Sequence, residues 1–264
     1  MSTRVTASTR MSAACQQLLR ERLDLTLDAT IELGNLNMIM ETEQVSLPSL
    51  REIITAEPVS LTLGTLVPDL FEHTRGLLAA EESAAESAAD PRALASLAQA
   101  GLADALAAAG AVIADTTRDI TAEAFAEAGA ELGYAVSVCR GDVATGIELR
   151  REHEIVLLRV EDGGSVESDH AGLADGTCGD RQRELEQAAA RRGITLTHRD
   201  QEDHGTAAGG KLILAAAARR DPSLARATAL DAQQPRASVP APGRLASAGQ
   251  DEERRRARRA GGAA

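Results

Sequence analysis

Between Tyr134 and Asp169 the chain repeats one pattern: short apolar runs, each closed by residues that favour a tight turn. In Tyr134 to Cys139 the side chains of Tyr134, Val136 and Val138 alternate with smaller ones, and Arg140-Gly141-Asp142 supplies turn chemistry. Ile147 and Leu149 then point one way while Glu148 and Arg150 point the other, which describes a strand with one wet face. Glu154 to Val160 carries the unbroken run Ile155-Val156-Leu157-Leu158, expected of a strand covered on both faces. Asp162-Gly163-Gly164 permits the positive φ angles of a hairpin that returns through Ser165 to Asp169. A meander is the simplest arrangement.

Helical spacing flanks this block on both sides. Ile120, Phe125, Ala128 and Leu132 mark a helix over Asp119 to Leu132 that stops at Gly133. Leu185, Ala188 and Ala189 mark a second over Asp180 to Arg192, capped by Thr177 or Asp180 and ended by Gly193. Ile194 to His198 reads as a further strand. For residues 211–218, with the run Lys211-Leu-Ile-Leu-Ala215, periodicity leaves strand and helix open. Residues 119–218 are therefore expected to form an αββββαβ domain, and the fold class is α+β with an antiparallel meander flanked by helices.

The element order, an apolar strand ending in Arg159, and a late helix holding Arg181-Gln182-Arg183 before a Gly193-Ile194 strand resemble a small uncharacterised family encoded in plastid and cyanobacterial genomes. Relatives of that family neighbour AAA-type ATPases in bacteria. The resemblance covers about a hundred residues, and it implies a partner protein of that ATPase class rather than any catalytic residue.

The N-terminal part reads differently. Residues 1–11 are polar and are expected to be a disordered leader, Met11 being as good a start as Met1. A helix follows over Ser12 to Arg22 in the region 12–80. Leu23, Leu25, Leu27, Ala29, Ile31 and Leu33 then alternate with polar residues, and with Gly34-Asn35 as turn and Leu36, Met38 and Met40 beyond it they predict a β-hairpin. Leu19, Leu23, Leu27 and Ile31 also fit a helical stripe, so strand and helix stay open for 23–33. Ser49 to Ala56 is expected to be helical, Val59 to Leu66 a strand stopped by Pro68, and Asp69 to Ala80 a helix burying Leu70, Phe71, Leu77 and Leu78. Residues 81–118 read as Ala-rich helices or linker, with helices over Arg92 to Ala100 and Leu102 to Asp115.

There is no Trp, one Tyr and two Phe, and Ala dominates the apolar count, so the core should be modest. A formal charge of −12 argues against a general nucleic-acid binder, which needs a basic face. Cys15, Cys139 and Cys178 are an odd number without disulfide or zinc-knuckle spacing, the N-terminus carries no apolar signal region, and Asp104 interrupts the longest Ala-rich run. These point to a cytoplasmic protein without a membrane span. Residues 219–264, rich in Ala, Arg, Pro and Ser, are expected to be a disordered tail, with Arg254, Arg255, Arg256, Arg258 and Arg259 as its contact residues.

The best chemical cluster is Asp169, His170, Cys178, His198, Asp203 and His204, of which His170, Cys178, His198 and His204 are the candidate metal ligands. Their spacing matches no helical i, i+4 or C-x-x-C ligand pair. Cys178, just before a helix, is also a candidate low-pKa thiol with His170 or His198 as base. No phosphate-cradling loop is complete, because Gly209-Gly210-Lys211 lacks the preceding glycine and the following hydroxyl. No cofactor is implied. The sequence thus favours a non-enzymatic interaction or accessory protein, an adaptor for an ATPase or another assembly with homo-oligomerisation open. A metal- or thiol-dependent enzyme built on the 170–204 loops is the rival.

Overall fold

The computed structural model describes residues 3–42, 47–84, 91–172, 177–203, 212, 213 and 215. The chain divides into two units, Met1–Ala217 and Ala218–Ala264, and the described residues all belong to the first. The expected tail with its five arginines, and His204, lie outside the described residues.

Six strands make one antiparallel sheet: β1 (Thr3–Met11), β2 (Ala135–Arg140), β3 (Ala144–Arg151), β4 (Glu154–Glu161), β5 (Val166–Ala171) and β6 (Ile194–Asp203), in the order β2-β3-β4-β5-β1-β6. With seven helices among the described residues the protein is α+β, and β2 to β5 are the expected meander. A turn of 3-10 helix at Asp162–Gly164 joins β4 to β5, with Gly163 at φ 76° and Gly164 at φ 84° as the hairpin requires.

β1 corrects the expectation of a disordered leader. It lies inside the sheet, paired antiparallel to β5 through Thr3–Ala7 and to β6 through Thr3–Met11. Val5 and Ala7 are buried, and Thr9 Oγ1 donates to the carbonyl of Gly164 at 2.6 Å. A strand with a partner on each side is held by two ladders, so small and hydroxylated side chains suffice and the apolar signal is faint. The sheet is accordingly not confined to residues 119–218.

One face of the sheet is covered by α6 (Pro91–Glu131) and α7 (Cys178–Arg191). Ile120, Phe125 and Ala128 of α6 and Leu185, Ala188 and Ala189 of α7 close a core over Ile147, Leu149, Val156, Leu158, Val160, Val166 and Ile194. The helix lies close: a Cβ on Gly129 would stand 2.5 Å from Cδ2 of Leu149. The other face is wet and carries the cross-strand pair Arg4–Glu167 at 2.6 Å and, along β4, the pair Arg159–Glu161 at 3.2 Å.

The remaining helices are α1 (Ala13–Leu23), α2 (Leu27–Thr42), α3 (Leu47–Thr55), α4 (Glu57–Leu66) and α5 (Pro68–Ala84). α1 starts where expected, Ser12 Oγ accepting from the amide of Cys15. The predicted hairpin over 23–40 is instead α2. Thr26 Oγ1 accepts from the amide of Ala29, a helix cap, and Ala29, Leu33 and Leu36 face inward at helical spacing while Leu27 and Ile31 remain exposed. Period two and period 3.6 share half of their positions over so short a run, and the cap decides. The predicted strand over 59–66 is α4: Pro58 lies in its first turn, and the helix buries Val59, Thr62 and Leu63 at helical spacing. Pro68 likewise opens α5 rather than stopping a strand. Leu70 is exposed on it, while Phe71 and Leu78 are buried.

α6 is a single helix of 41 residues where three were expected. Gly101 does not break it, and a Cβ there would stand 2.9 Å from Thr74 Oγ1, so this glycine lets α5 approach. Its first half supplies Ala98, Leu102, Ala105, Leu106 and Ala109 to a second core with Leu33, Leu36, Leu50, Ile54, Val59, Leu63 and Phe71. Contrary to the expectation that Asp104 rules out any span, Ser96–Glu131 is long and apolar enough to cross a membrane by length and composition. Here that stretch is the spine shared by the two cores.

Candidate functional site

A polar crevice lies on the wet face at the β1–β6 edge of the sheet. In register, Thr6 pairs with Asp200 and Ser8 with Thr197, so two residues of β6, His198 and Arg199, oppose Ala7 alone. This β-bulge places His198 at φ 49°, a left-handed conformation uncommon for a side chain of this size. It turns Arg199 inward, within 3.5 Å of Glu186 on α7, and leaves His198 exposed on the outside. His198 then lines a crevice of about 280 Å3 with Arg4, Thr6, Ala7, Ser8, Ser165 and Asp200. The crevice offers hydroxyls, a cation shared with Glu167 and a carboxylate, a composition suited to weak polar contact. No side chain in it is bonded to His198 as a base or nucleophile would be.

A second polar group sits on the covered face, beneath α7. Gln182 Oε1 accepts from Ser168 Oγ at 3.0 Å and from His170 Nε2 at 2.5 Å, and Gln182 Nε2 donates to Glu186 at 2.7 Å. His170 is wholly buried, and among the described residues its Nδ1 has no partner. Burial pushes its pKa down, against the bond to Gln182 and the charges of Asp169, Glu186 and Glu154, which act the other way. It is a neutral, structural imidazole.

Two further polar clusters brace the sheet. Buried Arg118 of α6 donates to the Asp142 carbonyl at 3.0 Å, to Asp162 at 2.6 Å and to Asp115, fastening the β2–β3 and β4–β5 turns to the helix. At the other end Tyr134 donates to Glu154 at 3.0 Å, Arg151 to the same oxygen at 2.7 Å, and the Arg151 guanidinium lies 4.5 Å from the Tyr134 ring centre. Burial and the adjoining Glu154 push Tyr134 up to about 12. Burial also pushes Glu154 up, but hydrogen bonds from Arg151 and Tyr134 and the charges of Arg151 and Arg181 outweigh it and hold Glu154 below the usual range.

Of the four candidate metal ligands, the three that lie among the described residues are not brought together. His170 is under α7, His198 is on the opposite face, and Cys178, the first residue of α7, is buried. Among the described residues no group of three or more His, Cys, Asp or Glu side chains is placed to hold a metal ion. The backbone of Asp203 ends β6, and Asp169 is buried on the wet face, where its Oδ2 accepts from the amides of Leu212 and Ile213 at 3.1 and 3.2 Å. Burial of Cys178 removes the access a reactive thiol needs. Cys139 is exposed on the edge strand β2, and Cys15 donates its thiol to the Arg192 carbonyl.

The sequence reading missed the bulge, Gln182 and Arg118. Spacing hinted at the last: Asp115 stands one helical turn before it. No protein-family model matches the chain, and no curated protein matches it.

Proposed function

We propose that the protein is a non-enzymatic accessory protein of the cytoplasm that binds another protein through its helical half. The supporting observation is the aliphatic surface left outside that core. Leu27 and Ile31, one turn apart on α2, are 56% and 52% exposed, Leu61 on α4 is 63% and Leu97 on α6 is 54% exposed. A chain so poor in large apolar residues gains by burying each of them, and leaving these, with Leu70 of α5 at 40%, outside the helical core supports binding of a partner there. The resemblance of residues 119–218 makes an AAA-type ATPase the partner class to test first, and the arginines at 254, 255, 256, 258 and 259 suit an acidic surface on that partner.

The test is capture from host extract with the tagged full chain against the double variant Leu27→Glu, Ile31→Glu. Loss of one protein from the captured set, with circular dichroism unchanged, supports the reading. An identical set from both chains contradicts it.

A further inference from the structure

We propose that the edge strand β2 pairs antiparallel with β2 of a second copy of this chain, about a two-fold axis at Val138, so that two six-stranded sheets join into one. This seam lies on the sheet and stands independently of the helical-face reading.

The two edges of the sheet meet solvent differently. β6 is guarded: its bulge opposite Ala7 bends the strand, His198 is left-handed there at φ 49°, and the strand ends in Asp200-Gln-Glu-Asp203. β2 has none of these devices. It holds no proline, lysine or carboxylate, none of its residues has a positive φ, and its register with β3 runs unbroken from Ala135 to Arg140. Every β2 residue except the half-buried Val136 is exposed. Gly141 N donates to the Ala144 carbonyl at 3.0 Å, which makes that pair a hydrogen-bonded one, and alternation along the ladder turns the backbone groups of Cys139, Ser137 and Ala135 toward β3. Those of Val136, Val138 and Arg140 point to the open edge. The ligand such an edge recognises is another extended strand.

The side chains make that strand β2 itself. On the helix-covered face one cross-strand row runs from Leu158 through Ile147 to Val138. The first two are 2% and 1% exposed, yet Val138 is 46% exposed, so an apolar row leaves the core and stops half covered at the edge. With Val138 on the two-fold axis, the row continues into Val138, Ile147 and Leu158 of the copy, and the two Val138 side chains cover one another. The same register sets Ser137 opposite Cys139, and Val136 opposite Arg140, whose guanidinium is already 3.5 Å from Glu123 and 3.8 Å from Asp119. A chain of formal charge −12 repels its copies over most of its surface, and this seam opposes no carboxylate of one strand to a carboxylate of the other.

Six residues a side make a small seam, so association should be weak and should follow protein concentration. Sedimentation equilibrium of the full chain should show monomer passing to dimer as concentration rises. Val138→Lys and Val138→Glu each set like charges against one another on the axis and should stay monomeric, and an equimolar mixture of the two should dimerise again, a recovery that misfolded variants would not give. Where the wild-type dimer predominates, amide hydrogen exchange at Val136, Val138 and Arg140 should slow by about ten-fold or more, while that at Ser137 and Cys139, already bonded to β3, should not depend on concentration. A wild type that stays monomeric at every concentration overturns the proposal. So does a Val138→Lys chain that dimerises as well as the wild type, or a mixture that forms no more dimer than either variant alone, since the copies would then meet through another surface or not at all.

Discussion

Asp169 and His170 are consecutive residues of β5, yet the strand sends the first to the wet face, under the amides of Leu212 and Ile213, and the second beneath α7 onto Gln182. His170 is there neutral, its pKa below the unfolded value because burial opposes its charge. Above about pH 6.5 neither the folded nor the unfolded chain protonates it; below that, the unfolded chain binds a proton that the folded one refuses. Stability should therefore fall as pH drops through and below about 6.5, by up to about 1.4 kcal/mol per pH unit from this group. Urea unfolding across this range checks it, and His170→Gln should flatten the dependence.

Tyr134 is the only tyrosine and the chain has no Trp, so its ionisation can be followed alone by absorbance. The midpoint should lie near 12 in the folded protein and fall toward the ordinary value in Glu154→Gln, which keeps the shape and removes the charge. The raised pKa contributes stability that is complete below about pH 10 and is lost as pH rises through the folded value.

Gly110 and Gly129 both lie inside α6, but an added Cβ meets nothing within 4 Å at the first and Leu149, wholly buried, at 2.5 Å at the second. Gly110→Ala should stabilise by about 0.5–1 kcal/mol through helix propensity. Gly129→Ala should destabilise by about 1 kcal/mol or more, because overpacking a fixed side chain exceeds that gain. Thermal melts of the two variants separate the effects.

Arg118 holds two turns at once, and the carboxylates it meets, Asp115 and Asp162, are about half exposed and stay solvated without it. Arg118→Met should cost roughly 2 kcal/mol, less than for a fully buried pair. Hydrogen exchange should speed up at residues 141–143 and 162–164 before it does elsewhere in the sheet.

Val5 is 1% exposed between Ser168 and Gln201 in register. Val5→Asp places a charge in the core without a partner and should cost several kcal/mol, enough to unfold a marginally stable chain. Circular dichroism of the purified variant decides this.

The meander and α7 were legible because their apolar residues are large and their turns carry Gly and Asp, as at Ile155 to Leu158 and at Asp162-Gly163-Gly164. β1 was not, since Val5 and Ala7 become core only once β5 and β6 lie on either side. α2 and α4 were misread because Leu and Thr at alternating positions satisfy both periods, and the deciding residues, Thr26 and Pro58, act on the backbone rather than on the pattern. In the candidate site, His198 was visible as a residue type, but the bulge that aims it outward depends on pairing with Ala7, a contact between positions nearly two hundred residues apart. The separation of Asp169 from His170 follows from strand alternation alone, and placing both in one cluster overlooked it.

The exposed aliphatic face of α2 carries the functional account, and a photocrosslinking residue placed at Ile31 in the living host tests it most directly. One protein should crosslink at position 31 and at Leu61 or Leu97, and none at Arg159 on the wet face of the sheet. Crosslinks absent from 31, 61 and 97, or equally abundant at 159, would contradict the claim that the protein binds its partner through its helical half.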